Sequence, residues 1–264
     1  MFMHDVRFGN RELLLAERQD LIMGRLAAEG RVIASDLAAE LRVSEDTIRR
    51  DLREMAARGL CDRVYGGALP VTGRAGSLSE RTGIDTAGKA ALACAAVQWV
   101  GENAVLFLDA ASSNLAIAQA LPEGRSLTCV TNAPRIAAVI ADRKDCEVIV
   151  IGGTVDHEIG ASVGAHAVRE AAFFRPDVCF LGACGVDAAA GVTAFHAEDA
   201  EFKRIIAARS GAVVVPVTNA KLGRAAPYCV MPVSECSAVI VEQDAAEAAV
   251  AACREAGAMI EFAG

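Results

Sequence analysis

The chain of 264 residues is long enough for one small domain and one of ordinary size, each with its own core. Its 53% hydrophobic content argues against a disordered protein, and no uninterrupted apolar stretch reaches the roughly 18 residues of a membrane span. The N-terminus lacks a secretory signal pattern, so we expect a cytoplasmic protein with no membrane partner.

The net charge of -8 is unevenly distributed. Residues 18–74 carry 10 basic and 9 acidic groups, whereas residues 75–264 carry 14 and 22. No lysine precedes position 75, and arginine suits the recognition of phosphate and guanine. The N-terminal region is therefore compatible with nucleic-acid binding, provided that its cations lie on one face and that a dimer adds to the affinity.

Nine cysteines form no C-x-x-C pair, and most lie in apolar stretches. We therefore predict buried thiols, with neither disulfides nor a zinc site. No G-x-G-x-x-G motif opens a helix after the first strand of the larger region, so no dinucleotide cofactor is predicted either.

The N-terminal pattern predicts three helices: residues 18–29, residues 35–41, and a third whose N-cap is Ser44. At about 100° per residue, Ile48, Leu52 and Met55 of the third helix form one apolar stripe. The opposite face and its flanks carry Asp46, Thr47, Arg49, Arg50 and Arg53.

The second and third helices are joined by a tight turn, which indicates a helix-turn-helix with its recognition helix in the DNA major groove. An ordinary amphipathic surface helix is the alternative. Residues 60–68 predict a small β-hairpin, or wing, in which Arg63 is available to a phosphate.

These residues resemble the N-terminal domain of DeoR-family transcriptional regulators. The family pattern V-S-x-x-T-I-R-R-D-L, then G-L, then R-V-x-G-G-A, is present without a gap between Val43 and Ala68, with Tyr65 where histidine is common. The resemblance implies a winged helix-turn-helix whose DNA-binding residues are Ser44, Asp46, Thr47, Arg49, Arg50, Arg53, Arg63 and Tyr65.

A stretch rich in Gly, Ser and Thr from Pro70 to Ser79 predicts a linker. The expected organisation is a DNA-binding domain in residues 1–69, a linker in residues 70–86 and a larger domain in residues 87–264. In that domain strand candidates alternate with helices, and the strands are residues 104–108, 127–130, 148–151, 178–181, 212–217, 238–241 and 259–262. This alternation predicts an α/β fold with a mainly parallel sheet covered on both faces.

Ligands of such sheets bind beyond the carboxyl ends of the strands, where small and polar residues follow each candidate here. Ser112, Ser113 and Asn114 also open a helix, where the dipole and free N–H groups favour a phosphate. Each loop alone is ordinary turn chemistry, but several converge on one edge.

The same loops resemble the DeoR C-terminal sensor domain, which shares the fold of ribose-5-phosphate isomerase and CoA transferases. The resemblance implies that a phosphorylated sugar or related metabolite acts as effector. The effector-binding residues would be Asp109, Ser112, Ser113, Asn114, Thr131, Asn132, Gly152, Gly153, Cys184, Gly185, Thr193, Glu198, Lys203 and Lys221.

Three departures concern the ligand: Cys184 and Thr218 stand where the family usually has aspartate, and Ser112, Ser113 and Asn114 replace a threonine run. The thiol of Cys184 is a poor hydrogen-bond acceptor. We therefore expect either a less hydroxylated ligand or weaker binding of a sugar phosphate.

The leading prediction is a homo-oligomeric regulator of operator DNA, usually a repressor in this family, that uses no cofactor. An isomerase or deaminase with a DNA-binding appendage is the alternative, although loss of the two carboxylates removes plausible bases. A thiol redox sensor is a third reading, supported only by the number of cysteines.

Overall fold

A computed structural model describes residues 15–29, 32–57, 60–64, 66–69 and 78–264. The chain divides into two compact units, Met1–Thr72 and Gly73–Gly264. Three parts of the predicted pattern lie outside the described residues: Gly30, which follows the predicted helix 18–29, Tyr65 of the wing and residues 70–77 of the predicted linker.

The N-terminal unit contains three helices and three short strands in the order α1 (Leu15–Glu29), β1 (Val32–Ile33), α2 (Ala34–Leu41), α3 (Glu45–Ala57), β2 (Asp62–Val64) and β3 (Gly67–Leu69). The predicted helices and hairpin are present, although α1 begins three residues earlier than expected. Ile22, Leu26, Ile48, Leu52 and Met55 are fully buried together. The unit is a winged helix-turn-helix.

Strand β1 was not predicted, and it explains why position 67 is glycine. Val32 and Ile33 pair with Ala68 and Gly67, so β3 lies between β1 and β2. A Cβ atom at Gly67 would lie 2.0 Å from the backbone oxygen of Val32, far inside van der Waals contact. The wing is therefore fixed to the body of this unit by a close backbone approach.

The C-terminal unit follows the predicted alternation of strands and helices. Its helices are α4 (Leu78–Thr82), α5 (Thr86–Ala96), α6 (Ser112–Ala120), α7 (Pro134–Ala141), α8 (Gly164–Ala171), α9 (Ala197–Ala207) and α10 (Glu247–Glu255), with 3₁₀ turns at Val97–Trp99 and Val233–Glu235. Its strands are β4 (Val105–Leu108), β5 (Leu127–Thr131), β6 (Cys146–Val150), β7 (Val155–Asp156), β8 (Ala161–Ser162), β9 (Val178–Phe180), β10 (Gly185–Asp187), β11 (Gly191–Ala194), β12 (Ala212–Val217), β13 (Tyr228–Met231), β14 (Ala238–Val241) and β15 (Ile260–Phe262).

The seven predicted strands form one parallel sheet in the order β15-β14-β12-β9-β4-β5-β6. After β4 the chain adds strands on one side, and after β6 it crosses to β9 on the other side of β4. The order therefore reverses between β4 and β9. In parallel sheets this reversal opens a crevice beyond the carboxyl ends of the strands.

Both faces of this sheet are covered. Leu106 and Leu108 pack into a cluster with Leu92, Ile117 and Ile136, which belong to α5, α6 and α7. Phe107 points to the other face, where it packs with α8, α9 and α10, and its ring centroid lies 5.8 Å from that of Phe202. Burial on both faces accounts for continuously apolar strands.

Two details differ from the prediction. The stretch 70–86 was assigned to a linker, but it contains α4, whose Leu78 is 2% exposed within the α5–α7 cluster. Two antiparallel sheets, β7-β8 and β10-β11-β13, were not predicted. Among the described residues, no helix combines the length and the apolar character needed to cross a bilayer.

Candidate DNA-binding surface and effector site

Helix α3 begins where the sequence predicted. The Ser44 hydroxyl accepts a hydrogen bond from the Thr47 N–H at 3.1 Å, and the Ser44 carbonyl accepts from Thr47 and Ile48. Glu45 and Asp46 occupy the first turn, where acidic side chains interact favourably with the helix dipole. Ser44 and Thr47 also join their hydroxyls at 2.8 Å, so both predicted DNA contacts are held at the start of the helix.

The buried face of α3 holds a charged residue that the sequence analysis did not single out. Asp51 is 2% exposed and accepts two hydrogen bonds from Arg18 of α1, from Nε at 2.7 Å and from Nη2 at 3.2 Å. Such a two-bond pair fixes direction as well as distance. Arg18 and Asp51 thus set the angle between α1 and α3. The only sequence signal was an acidic residue beside the apolar stripe.

The outer face of α3 presents three exposed arginines, Arg49, Arg50 and Arg53. Arg49 pairs with Glu45 at 2.7 Å, and Arg50 makes a longer pair with Glu54 at 3.4 Å. Because exposed pairs of this kind contribute roughly 0.3–0.5 kcal/mol, they do not prevent either guanidinium from turning to another anion.

A cleft of about 370 Å³ separates α3 from the wing. It brings Arg63 of β2 together with arginines of α3, and its lining is Asp46, Arg49, Leu52, Arg53, Arg63, Gly66 and Gly67. Of the predicted DNA contacts, four line this cleft and Arg50 lies on the exposed helix face. Tyr65 lies outside the described residues.

In the C-terminal unit, Asp109 occupies the crevice between β4 and β9. Its side chain is 1% exposed and accepts hydrogen bonds from the Gly182 N–H at 2.9 Å and from the Asn114 amide at 2.7 Å. The Asn114 amide also donates to the Phe180 carbonyl at 2.7 Å. A Cβ at Gly182 would lie 2.2 Å from that of Ala111, so only glycine permits this approach.

Lys203 of α9 reaches the same crevice, but its charge is already balanced. Its ammonium lies 2.7 Å from Asp199 and 3.4 Å from Asp109, and all three side chains are buried. Burial alone would lower the pKa of Lys203, but Asp199 and Asp109 raise it well above its usual range. Lys203 therefore stays protonated. Asp199 was missed in the sequence, where its spacing of four residues from Lys203 on a helix was the available signal.

Lys221 differs from Lys203 in that its surroundings lower its pKa. It is half-buried, donates to the Ala183 carbonyl at 2.7 Å and is presented by a turn in which the Thr218 carbonyl accepts from the backbone of Lys221. Burial lowers the pKa of Lys221 to about 8, and the positive charges of Arg81 and Lys203 add to that effect, whereas Cys184 and Asp109 oppose it. Among the described residues, no carboxylate forms an ion pair with this ammonium as Asp199 does with Lys203, although the charge of Asp109 acts on it from a longer distance.

Two predicted residues have hydroxyls that both donate and accept hydrogen bonds within the fold. The Thr131 hydroxyl donates to the Leu108 carbonyl and accepts from the Ala133 N–H. The Thr193 hydroxyl donates to the Gly185 carbonyl and accepts from the Ala226 N–H. These bonds tie neighbouring loops together, which is a structural role.

Two buried asparagines use their side-chain nitrogen as a donor and leave their side-chain oxygen without a partner among the described residues. The Asn132 amide donates to the Ser162 carbonyl at 2.9 Å, and Asn114 donates as described above. The side-chain oxygens of Asn114 and Asn132 are buried and have no hydrogen-bond partner among the described residues. A buried unsatisfied oxygen is costly, so each is suited to a hydroxyl of a ligand or to water.

Helix α6 begins at the crevice without a side-chain cap, and Ser112 and Ser113 are buried in its first turn. Its first N–H groups and dipole suit an anion. The remaining predicted residues lie at the same edge of the sheet. Cys184 is half-buried, Gly185 is buried in β10, the Gly152 N–H donates to Glu170, Gly153 lies beside Ser162, and Glu198 is exposed near Gly164.

Comparison with known protein families finds a match for each of the two units of the chain. The model of the DeoR C terminal sensor domain matches residues 84–243, and that of the DeoR-like helix-turn-helix domain matches residues 18–73. The chain belongs to the DeoR family. One match lies essentially in each of the two units of the fold. Together they identify this protein as a DNA-binding transcriptional regulator with a sensor domain.

Characterised relatives of this DeoR-family chain are regulators as well. The HTH-type transcriptional regulator GlpR of Haloferax volcanii is 36% identical over 215 residues, which are 80% of this chain and 84% of that protein. The glycerol-3-phosphate regulon repressor of Escherichia coli is 29% identical over 227 residues, which are 86% of this chain and 90% of that protein. The family assignment thus favours a regulator and not an enzyme.

Among solved structures, ribose 5-phosphate isomerase A from Methanocaldococcus jannaschii matches 50% of this chain and 52% of its own, at a TM-score of 0.38 and 15% identity. So distant a likeness carries no argument about activity. Among the described residues of the DeoR-family chain, no cluster of His, Cys, Asp or Glu could hold a metal ion.

Proposed function

We propose that this protein is a cytoplasmic repressor that binds paired half-sites of double-stranded operator DNA as a homo-oligomer. A small phosphorylated metabolite modulates this binding from the crevice of the C-terminal unit. The half-buried ammonium of Lys221, in the same crevice as the N-terminus of α6, which has no side-chain cap, is the observation that carries the sensor half of the proposal.

The crevice offers what a phosphorylated polyol requires. The first turn of α6 and Lys221 provide positive potential for a phosphate, and the oxygens of Asn114 and Asn132 accept from hydroxyl groups. The names of relatives agree with this ligand class, since one is a glycerol-3-phosphate regulon repressor. Cys184 lies near Lys221 and stands where the family usually has aspartate. A thiol accepts hydrogen bonds less strongly than a carboxylate, so this residue favours a ligand with few hydroxyls.

DNA binding is assigned to the exposed face of α3 together with the cleft beside the wing. Arg49, Arg50, Arg53 and Arg63 supply four cations within one winged helix-turn-helix. Arginine contacts both guanine edges and phosphates, and so a recognition helix in the major groove and a wing against the backbone fit this charge distribution.

The rival functions fit less well. A general base must be free to take a proton, but Asp109 accepts from Gly182 and Asn114 and lies against Lys203. Five of the nine cysteines are buried and Cys94 and Cys229 are exposed, so the prediction of buried thiols is correct for most of them. Burial raises the pKa of Cys129 and of Cys236 to about 12, which makes these two thiols unsuited to redox sensing.

A thermal-shift panel tests the sensor assignment. Glycerol 3-phosphate, fructose 1-phosphate, fructose 6-phosphate and ribose 5-phosphate are added to the full chain, and at least one is expected to raise the melting temperature. Lys221→Ala should abolish that rise, whereas Lys144→Ala, an exposed lysine before β6 at the opposite edge of the sheet, should preserve it. No stabilisation by any of the four compounds would contradict the proposed ligand class.

A further inference from the structure

Helices α5 and α6 pack against each other and against one face of the parallel sheet. Leu92 of α5 and Ile117 of α6 are fully buried on the inner side of this pair. The outer side, which we call the α5–α6 face, presents the exposed side chains of Ala90, Cys94 and Gln119 to the surroundings. The inner side alone is therefore accounted for by the packing of the C-terminal unit.

The α5–α6 face carries no charge. All residues of both helices are described, and the charged residues between positions 86 and 121 are Lys89, Glu102 and Asp109. Lys89 is 7% exposed, Asp109 is 1% exposed, and Glu102 lies outside both helices in the loop before β4. Neither helix thus exposes a charged side chain.

The neighbouring helices of the C-terminal unit differ in this respect. Each of the other described helices of eight or more residues exposes at least one charge: Arg135 in α7, Arg169 in α8, Glu201 in α9 and Glu255 in α10. A helix on the surface normally has a polar or charged outer side, and a helix that is apolar on all sides is normally buried. The composition of α5 and α6 therefore indicates that another surface covers them.

A groove on this face has the shape that such a surface requires. Its volume is about 320 Å³, and its lining includes Ala90, Ala93, Cys94, Leu115, Ala116 and Ala120. The distance at which two helices pack depends on the side chains at the contact, and short side chains allow the closest approach. The groove is therefore suited to an opposing helix.

The charge of the C-terminal unit indicates which surface that is. Residues 75–264 carry 14 basic and 22 acidic groups, so two copies of this unit repel each other over most of their surface. In a two-fold interface the same patch of both copies meets, and like charges that face each other are unfavourable. A patch without charge avoids this repulsion, whereas nucleic acid or a strongly charged protein would find no opposite charge on it.

We propose that a second copy of this chain covers the α5–α6 face, which thereby forms a two-fold interface of the homo-oligomer. The inference rests on the homo-oligomer of the proposed function and specifies the surface that builds it. Ser112 lines the groove and also begins α6 at the effector crevice. One helix therefore contributes to the interface and to the sensor site.

Sedimentation velocity of the full chain tests this interface. Ala90→Glu and Gln119→Glu each place a carboxylate opposite its own copy and are expected to weaken self-association at least about a hundredfold. Both positions are exposed in the single chain, and Gln119→Glu preserves the size of the side chain, so the fold is retained. Ala252→Glu, at an exposed alanine of α10 on the other face of the sheet, should sediment like the parent.

Two exposed cysteines supply a second readout with an internal control. Cys94 lies on the α5–α6 face, whereas Cys229 lies on β13. In the parent, maleimide labelling of Cys94 should be about tenfold slower well above the dissociation constant of the oligomer than well below it, and labelling of Cys229 should not change.

The outcomes separate this interface from the proposed function. An oligomeric parent in which Cys94 is not protected, or in which Ala90→Glu and Gln119→Glu both sediment like the parent, overturns the α5–α6 interface and leaves the homo-oligomer intact. A parent that is monomeric at every concentration overturns both the interface and the homo-oligomer.

Discussion

Lys221 lies in a less polar environment than a surface lysine, and burial lowers its pKa to about 8. Below that pH its ammonium is charged and attracts an anion, and above it the attraction is lost. A phosphate monoester has its second pKa at about 6, so the ligand stays dianionic while Lys221 titrates. Effector affinity should therefore fall as the pH rises through about 8.

We expect the affinity of the parent protein for its best sugar phosphate to drop about tenfold between about pH 7 and about pH 9.5 by calorimetry. Lys221→Arg keeps its charge over this range and should show a flatter profile. Cys184 is present in both proteins, so a difference between the profiles belongs to position 221. Superimposable profiles would show that Lys221 does not contact the ligand.

At the scale of secondary-structure elements, the stability of α3 depends on the Arg18–Asp51 pair that joins it to α1. The two side chains are 13% and 3% exposed, so the pair is largely shielded from water. Removing one partner of a buried pair costs about 3–5 kcal/mol. An exposed pair of the same 2.7 Å length, Arg25 with Glu40, is worth no more than about 1 kcal/mol.

Asp51→Ala is therefore predicted to speed amide exchange in α3 by about a hundredfold or more, whereas Glu40→Ala changes exchange by less than about tenfold. Hydrogen exchange followed by mass spectrometry of the full chain resolves α3 from the C-terminal unit. Similar exchange rates in the two variants would mean that Asp51 does not anchor the helix.

The sequence predicted those elements whose signals are local. The Ser44 cap and the stripe of Ile48, Leu52 and Met55 lie within three turns of one another, and α3 has the expected start. Strand β1 has two residues and no periodicity, so its pairing with β3 is invisible without the tertiary fold. Helix α4 was missed for a similar reason, because five residues with a buried Leu78 give no periodic apolar pattern.

The placement of the candidate site residues was predictable to the same extent, whereas their binding of an effector stays a prediction. The rule that ligands bind at the carboxyl ends of parallel strands identified Asp109, Asn114 and Lys221. It could not distinguish Lys203, whose charge Asp199 and Asp109 balance, from Lys221, because that difference depends on distances between separate elements. The hydrogen bonds that the Thr131 and Thr193 hydroxyls make within the fold likewise emerge only from the packed structure.

For the molecule as a whole, the proposed DNA-binding and sensor functions belong to different units. One carries an arginine-rich recognition helix, and the other carries a parallel sheet whose crevice suits an anion. If the effector binds only one state of the regulator, operator affinity must depend on effector concentration, and the coupling in such systems is about 1–3 kcal/mol.

Fluorescence anisotropy with an operator fragment, selected from genomic DNA by binding to the full chain, tests this claim most directly. At fixed salt, the sugar phosphate that stabilises the protein should change operator affinity by about 5-fold to about 150-fold. Arg50→Ala should weaken operator binding by about 1–3 kcal/mol without changing the melting temperature. Selected DNA that binds parent and Arg50→Ala equally, and with the same affinity whether or not the effector is present, would contradict the account.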